Sequence, residues 1–259
     1  KEGQLRSAVW DYTPQEWING NLRITHKGSS LYDKSIFTLS YQNFKEGRRD
    51  RDFGDTILYE TKEKVNAYTS ALDFIKKFGK SKLFYGLEYV YNKVNSLGKQ
   101  TNLLNGATSE TSPRYPDDSN WQSMAAYVSL QSKLAANLSL QLGLRYNHIL
   151  LYANYDNPFY DFPFIESDIN TGALTGSVGF NWQASEILGW RFNLSTAFRA
   201  PNIDDVGKIF DSEPGSLVLP NPDLKPEYAY NGELGAVLKL GNKTRIDLTG
   251  YLTFLEDAL

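Results

Sequence analysis

The stretch that decides the fold is Phe-Arg-Ala-Pro-Asn at residues 198–202, followed by Asn-Pro-Asp-Leu-Lys-Pro-Glu at residues 221–227. The run before it, 190–198, alternates apolar and polar side chains, which is the period-two pattern of a strand with one apolar and one polar face. Pro201 interrupts this strand because proline has no backbone N–H to donate. A second alternating run begins at Glu227, so a long loop is predicted to join two strands.

The two motifs, in this order and each next to an alternating strand, resemble the barrel of TonB-dependent outer-membrane receptors. The alternative is a generic proline-rich hairpin loop, since short motifs give false positives. The resemblance implies a barrel of about 22 strands with an N-terminal plug. It places residues 1–259 within one such barrel domain, without the plug or the closing strands. The matching positions are Phe198, Arg199, Ala200, Pro201, Asn202, Asn221, Pro222, Leu224, Pro226 and Glu227.

Composition limits the class of protein. The net charge of -3 and the pI near 5.5 give no basic footprint for nucleic acid. The mean hydropathy of -0.45 and the lack of a long apolar run exclude a helical membrane protein. They do not exclude a transmembrane barrel, in which every second strand residue faces water. With no cysteine, disulfide frameworks, thiol catalysis and cysteine-based zinc sites are ruled out.

The clearest strand in the sequence is 138–147. Leu140, Leu142 and Leu144 alternate with polar or small residues that include Gln141 and Arg145. If this polar face were buried without partners, each neutral side chain would cost about 1–3 kcal/mol. A water-filled lumen removes that cost, so the pattern favours a barrel wall over a sandwich core.

The turns and loops are expected to separate to opposite ends of the sheet. Tight turns are predicted near Gly79, Ala136, Ile187 and Asn242. The predicted loops are 45–59, 97–120, 154–170 and the motif loop. Residues 61–77 alternate poorly and are assigned as a strand from their context. The predicted fold is therefore all-β: an antiparallel up-and-down transmembrane β-barrel segment of about ten strands, with short periplasmic turns and long extracellular loops.

No catalytic constellation is present in the sequence, and no cofactor is predicted. His26 and His148 lie far apart, and the pairs Asp117/Asp118, Asp204/Asp205 and Asp211/Glu213 are weak candidates for a cation site. The loops are instead rich in aromatic and acidic residues, which suits recognition of a ligand at the outer mouth. Arg145, Arg191 and Arg199 fall on the polar face, where pairing with carboxylates is favoured over contact with an anionic ligand. The candidate ligand residues are Tyr115, Trp121, Tyr155, Phe159, Tyr160, Arg199 and Asp211.

The resemblance implies an outer-membrane receptor of a Gram-negative bacterium that binds a scarce large solute, most often a ferric siderophore. Its expected partners are the TonB complex, acting through the plug, and outer-membrane lipid. Two alternatives stay open: an outer-membrane β-barrel enzyme, and a soluble β-rich carbohydrate-binding module. The first ten residues lack an apolar segment, so no signal peptide is predicted, and an exported chain would be mature or truncated. Because the last predicted strand runs almost to Leu259 and no closing strand follows, we expect a truncated chain.

Overall fold

A computed structural model describes residues 7–156, 158–159, 164–207, 210–213, 216–218, 221, 224–241 and 243–258. Thirteen strands and one short helix follow each other along this part of the chain. They are β1 Ser7–Lys27, β2 Lys34–Asp52, β3 Ile57–Phe78, β4 Ser81–Asn102, β5 Thr108–Thr111, β6 Ser119–Ala135, β7 Leu138–Asn154, β8 Glu166–Gln183, β9 Leu188–Arg199, α1 Ile203–Gly207, β10 Phe210–Glu213, β11 Ser216–Val218, β12 Glu227–Leu240 and β13 Thr244–Glu256.

Ten long strands form one sheet in the order β1-β2-β3-β4-β6-β7-β8-β9-β12-β13, and every neighbouring pair is antiparallel. The short strand β5 pairs with the end of β4, and β10 and β11 form a separate hairpin. The all-β, up-and-down prediction is confirmed. So is the strand at 61–77, which lies within β3.

Connections of different length lie at opposite ends of the sheet. At one end are the tight turns 79–80, 136–137, 184–187 and 241–243, together with the turn 28–33. At the other end, called the long-loop end below, are the four-residue turn 53–56 and the long connections from β4 to β6, from β7 to β8 and from β9 to β12. The tight turns predicted near Gly79, Ala136 and Ile187 are thus confirmed, whereas Asn242 lies outside the described residues. The long connections share one end.

The predicted loop over 45–59 is wrong. β2 continues to Asp52 and β3 begins at Ile57, so only residues 53–56 form the turn. Charged side chains stabilise this extension across the strands: Arg49 lies opposite Asp11 and donates to its carboxylate from Nε at 2.9 Å and from Nη2 at 2.7 Å. The predicted loops 97–120 and 154–170 are also too long, because β4 continues to Asn102 and β8 begins at Glu166.

The register divides the sheet into two faces. Ile24, Phe37, Leu72, Leu87, Ala126 and Tyr146 lie in one row across six strands, on what we call the apolar face. Residues that directly oppose each other across neighbouring strands share a face. The next row along the strands therefore lies on the other side, called the polar face; it contains Arg23, Thr38, Ala71, Glu88, Ala125 and Asn147.

Candidate functional site

The largest cluster of buried apolar side chains lies on the polar face at the long-loop end. It joins α1 to strands β4, β7 and β8, which are far apart from α1 in sequence. We call it the mouth cluster. Its buried members are Val94, Leu151, Ala153, Tyr155, Ile169, Ile203 and Val206, and Val65, Tyr115, Trp121, Phe164 and Leu224 pack against them.

The sequence Pro201-Asn202 explains why α1 forms where it does. Pro201 is buried and ends β9, and Asn202 caps the helix that follows. The Asn202 Oδ1 accepts hydrogen bonds from the backbone N–H of Asp204 at 2.7 Å and of Asp205 at 3.2 Å. In return, the Asp205 carboxylate accepts from the Asn202 N–H at 3.0 Å. These reciprocal bonds stabilise a helix of only five residues.

Arg199 connects the two halves of the sequence motif. Its Nη2 donates to Asp205 Oδ1 at 2.5 Å, and its Nη1 lies 3.6 Å from Glu227 Oε1. Glu227 is also the register partner of Arg199 in the β9–β12 pair. The first and last segments of the motif are therefore held together at the root of the loop.

Two tyrosines fasten α1 to the barrel wall. The Tyr115 hydroxyl donates to Asp204 Oδ1 at 2.8 Å, and the Tyr155 hydroxyl donates to the backbone carbonyl of Val206. The ring of Tyr155 also packs edge-on against Phe164, with the ring centroids 5.2 Å apart. Both tyrosines thus bridge residues that are distant in sequence.

The segment that carries Tyr115 is itself fixed to β4. Asp117 Oδ1 accepts a hydrogen bond from the Ser96 backbone N–H at 3.0 Å, and the Ser96 hydroxyl accepts one from the Tyr115 N–H at 3.3 Å. Ser119 Oγ donates to the carbonyl of Pro116 at 2.7 Å. The loop 112–118 is consequently anchored before it meets α1.

Burial, together with the hydrogen bond to the Asp204 carboxylate, raises the pKa of Tyr115 to about 12. A group whose pKa is raised on folding stabilises the folded state fully below its ordinary pKa of 10.0, and this contribution is lost as the pH rises through about 12. We therefore expect α1 to loosen from the wall over that pH range. In Tyr115→Phe this alkaline step should be absent, and the docking should be weaker by about 1 kcal/mol at neutral pH.

The tyrosinate absorbance of the full-length protein, measured as the difference between wild type and Tyr115→Phe, reports this titration. A difference midpoint at the ordinary tyrosine value would show that Tyr115 is not docked against Asp204.

The structure brings some of the predicted ligand residues together and separates others. Tyr115, Trp121 and Tyr155 all belong to or pack against the mouth cluster, and Arg199 lies at its rim. Phe159 lies apart from them and lines a groove of about 850 Å³ between the β4–β5 hairpin and β7. Asp211 falls in β10, while Tyr160 and the motif residue Pro222 lie outside the described residues.

Two of the three acidic pairs considered for a cation, Asp117/Asp118 and Asp204/Asp205, are engaged with protein groups, while the side chains of Asp211 and Glu213 lie outside the described part of the structure. Asp118 forms an ion pair with Lys93 at 2.6 Å, and Asp204 and Asp205 bind Tyr115 and Arg199. Within the described ranges, no group of three or more His, Cys, Asp or Glu side chains could hold a metal ion. The described residues also include no helix that is long and apolar enough to cross a membrane.

Arg145 and Arg191, which the sequence places on the polar face, have carboxylate partners. Arg145 Nη2 lies 2.7 Å from Glu88 Oε1, and Arg191 pairs with Asp247.

The residues that the sequence did not indicate are Ile203 and Val206, which insert α1 into the cluster. The spacing of Asn202 and Asp205 was the available signal, because it matches a helix-capping pattern.

Comparison with known proteins agrees with this geometry. A family model described as "TonB dependent receptor-like, beta-barrel" matches residues 2–259. The "Iron-regulated outer membrane virulence protein" of Vibrio cholerae is 21% identical over 250 residues, covering 95% of this chain and 32% of that protein. The "Hemoglobin-haptoglobin utilization protein B" of Neisseria meningitidis is 31% identical over 124 residues, covering 46% of this chain and 15% of that protein.

Solved structures share the fold. The "Copper transporter OprC" superposes with a TM-score of 0.82 at 15% identity, covering 96% of this chain and 40% of that one. The siderophore receptor PiuA of Acinetobacter baumannii gives a TM-score of 0.64 at 16% identity, covering 92% and 40%. The chain spans about a third of the length of the Vibrio relative. It belongs to the TonB-dependent receptor family and forms a segment of the family's transmembrane β-barrel.

Proposed function

We propose that this chain is part of a Gram-negative outer-membrane receptor that binds a scarce iron complex such as a ferric siderophore. The receptor admits this complex in a TonB-energised step. The observation that carries the proposal is the anchored mouth. α1 and loop 112–118 are fixed to the polar face of the wall, so aromatic side chains are held in place where a solute would enter. Small-molecule sites are usually preformed and are lined by apolar and aromatic side chains, with a few polar groups that give specificity.

This sequence contains few side chains that bind soft metal ions, which favours a metal complex over a bare metal ion as the imported solute. The sequence contains two histidines, one methionine and no cysteine. Met124 and His148 are register partners, in the row of the apolar face that contains Leu22 and Leu39. Imidazole, thioether and thiolate groups are the ligands that copper ions favour, and this segment offers none of them at the mouth. The names of the Vibrio and Neisseria relatives refer to iron regulation and to haemoglobin use, which supports an iron source.

Buried polar atoms on the polar face support contact with a plug. The indole Nε1 of Trp121 and both carboxylate oxygens of Glu63 are buried and have no hydrogen-bond partner among the described residues. Such atoms nearly always find a partner in a native protein. A plug in the lumen would supply these partners, and it would also provide the contact with the TonB complex.

The two alternatives to a receptor do not survive the comparisons. The matching family and the structural neighbours are receptors and transporters rather than enzymes. A soluble carbohydrate-binding module does not fit a chain that belongs throughout its length to a transmembrane barrel family.

Growth of the native host under iron limitation tests the proposal. A strain without the full-length gene is supplied with single iron sources, namely defined ferric siderophores or haem. We expect it to lose growth on one of these sources, and purified full-length protein to bind that source. A strain that grows like the wild type on every source, with a protein that binds none of them, would contradict an iron-uptake function. If uptake also persists without TonB, the energised step is wrong.

A further inference from the structure

A small cavity lies on the polar face at the end of the sheet that carries the tight turns, which face the periplasm in barrels of this kind. It has a volume of about 320 Å³, and we call it the exit pocket. Among the described residues that line it, none is Asp or Glu. Its charged and neutral polar side chains are Lys133, Arg191, Lys239, Arg245, Asn137, Ser139, Asn181 and Gln183.

The register of the strands places these side chains around one opening. One row crosses β6, β7, β8 and β9, and it consists of Lys133, Ser139, Asn181 and Arg191. The two ends of this row are three strands apart, about 14 Å between backbones. Lys239 and Arg245 are register partners, and Lys239 lies four residues beyond Gly235, the partner of Arg191 on β12. Four basic side chains from distant parts of the sequence therefore meet at the pocket.

The two arginines of the pocket share one carboxylate. Arg191 pairs with Asp247 on β13, and it reaches across β12 at Gly235, where no side chain stands in the way. Arg245 donates to the same carboxylate, from Nε at 2.7 Å and from Nη2 at 3.1 Å. One carboxylate between two guanidinium groups leaves this cluster with a net positive charge.

The two lysines of the pocket have no such partner. Within the described ranges, neither Lys133 nor Lys239 forms an ion pair, and both residues are exposed. Lysine is a strongly hydrated point charge on a flexible stem, whereas the planar fork of arginine suits fixed pairs. Two hydrated ammonium groups beside an open pocket therefore suit an anion that binds transiently better than a permanent protein partner.

Positive charge is concentrated at this end of the polar face. Four more lysines lie there as two directly opposed pairs, Lys27 with Lys34 and Lys77 with Lys82. At the long-loop end, by contrast, Arg199 has carboxylate partners. The whole chain carries a net charge of -3, so the excess of positive charge is local. Clefts lined by one sign of charge raise the local concentration of solutes of the opposite sign.

We propose that the exit pocket binds the anionic oxygen groups of a polyanionic solute as it leaves the lumen, so that the imported complex carries a net negative charge. This inference rests on the proposed function for the direction of transport, and it adds the charge of the solute and a second place of contact. Lys133 and Lys239 each donate charge-assisted hydrogen bonds to the anion. Acidic side chains of the plug have the same chemistry, and the experiment separates them from a free solute.

The test measures how citrate, which carries three carboxylates, changes the acetylation rates of single lysines in purified full-length protein. Peptide mass spectrometry gives each rate at constant ionic strength. We expect citrate to slow the acetylation of Lys133 and Lys239 several-fold. Lys27 should be unaffected: it shares their face and their end of the sheet, but it lies four strands from Lys133, about 19 Å against a Debye length of about 8 Å. Triethyl citrate, the uncharged ester, should slow none of the three.

Substitutions assign the effect to the pocket. In Lys239→Gln the citrate concentration that half-protects Lys133 should rise about two- to fivefold, the contribution of one exposed ion pair. Lys239→Arg should keep the wild-type value, since it keeps the charge. Lys27→Gln is the matched control, and it should also keep that value. A band that migrates differently before and after boiling shows that each variant is a folded barrel.

Equal acetylation of Lys133 and Lys239 with and without citrate would overturn the proposal. If both were also acetylated far more slowly than Lys27 without citrate, the pocket would belong to acidic side chains of the plug. Equal slowing of Lys27, or equal slowing by triethyl citrate, would show that no anion is recognised at the pocket. None of these measurements depends on iron uptake or on TonB, so the proposed function can fail separately.

Discussion

Tyr155→Ala is expected to release α1 from the barrel wall. The Tyr155 side chain is 2% exposed, and it contacts Phe164 and the Val206 carbonyl. Removing a buried ring of this size costs about 3–5 kcal/mol, because the apolar contacts are lost and a cavity remains. A helix of five residues has little stability of its own, so we expect the loss to appear as local opening of residues 203–207 while the sheet stays intact.

Amide hydrogen exchange of the full-length protein measures this opening. In Tyr155→Ala the amides of Asp205 and Val206 should exchange much faster, while those of β7 keep their protection. Tyr155→Phe is the control, because it keeps the ring and loses only the hydrogen bond to Val206, which is worth about 1 kcal/mol. Equal exchange in wild type and Tyr155→Ala would show that the mouth cluster does not hold the helix.

Arg199→Ala is expected to loosen the root of the motif loop. The change leaves Asp205 and Glu227, whose side chains are only 16% and 20% exposed, without their shared guanidinium. Losing the partner of a fully buried charge costs about 3–5 kcal/mol. Arg199 is itself half-exposed, so solvent screening lowers our expectation to about 1–2 kcal/mol.

A second substitution, at Glu227, completes a double-mutant cycle that separates the contribution of the charges from that of packing. Glu227→Gln should cost less in the Arg199→Ala background than in the wild type, because the ion pair that it removes is already absent there. Arg199→Lys should retain only part of the stability. The positive charge is kept, but an ammonium cannot engage both carboxylates in the planar geometry of a guanidinium. Proteolysis within the motif loop of the folded full-length protein is the readout. Equal cleavage rates in wild type, Arg199→Ala and the double variant would refute the role of Arg199.

The strands could be predicted from the sequence where one of their faces is apolar. On β7, Leu140, Leu142 and Leu144 alternate with polar residues, and the structure places them as the pattern predicts. The pattern failed where strands continue beyond the apolar rows. There both faces are polar, so the charged end of β2 looked like a loop, and only its cross-strand partners, such as Asp11 for Arg49, show why it is extended.

The mouth cluster depends on contacts that no local pattern contains. Tyr115 and Asp204 are 89 positions apart, and Tyr155 and Val206 are 51 apart. The sequence singled out Tyr115, Trp121 and Tyr155 as loop aromatics at a mouth, and the structure shows that they pack on or near α1. Whether a ligand contacts them stays a prediction.

The most direct test of the central claim, that this sheet is a membrane-spanning barrel wall with water on its polar face, is spin labelling along β7. Single cysteines are introduced at Ser139, Leu140, Gln141, Leu142 and Leu144 of a full-length protein in lipid vesicles, in which any cysteine outside residues 1–259 has been replaced; residues 1–259 contain none. We expect labels at the three leucines to collide mainly with oxygen dissolved in lipid, and labels at Ser139 and Gln141 to be less accessible to oxygen and more accessible to a water-soluble nickel complex. Accessibility without this period of two, or with the opposite phase, would contradict the assignment of the two faces.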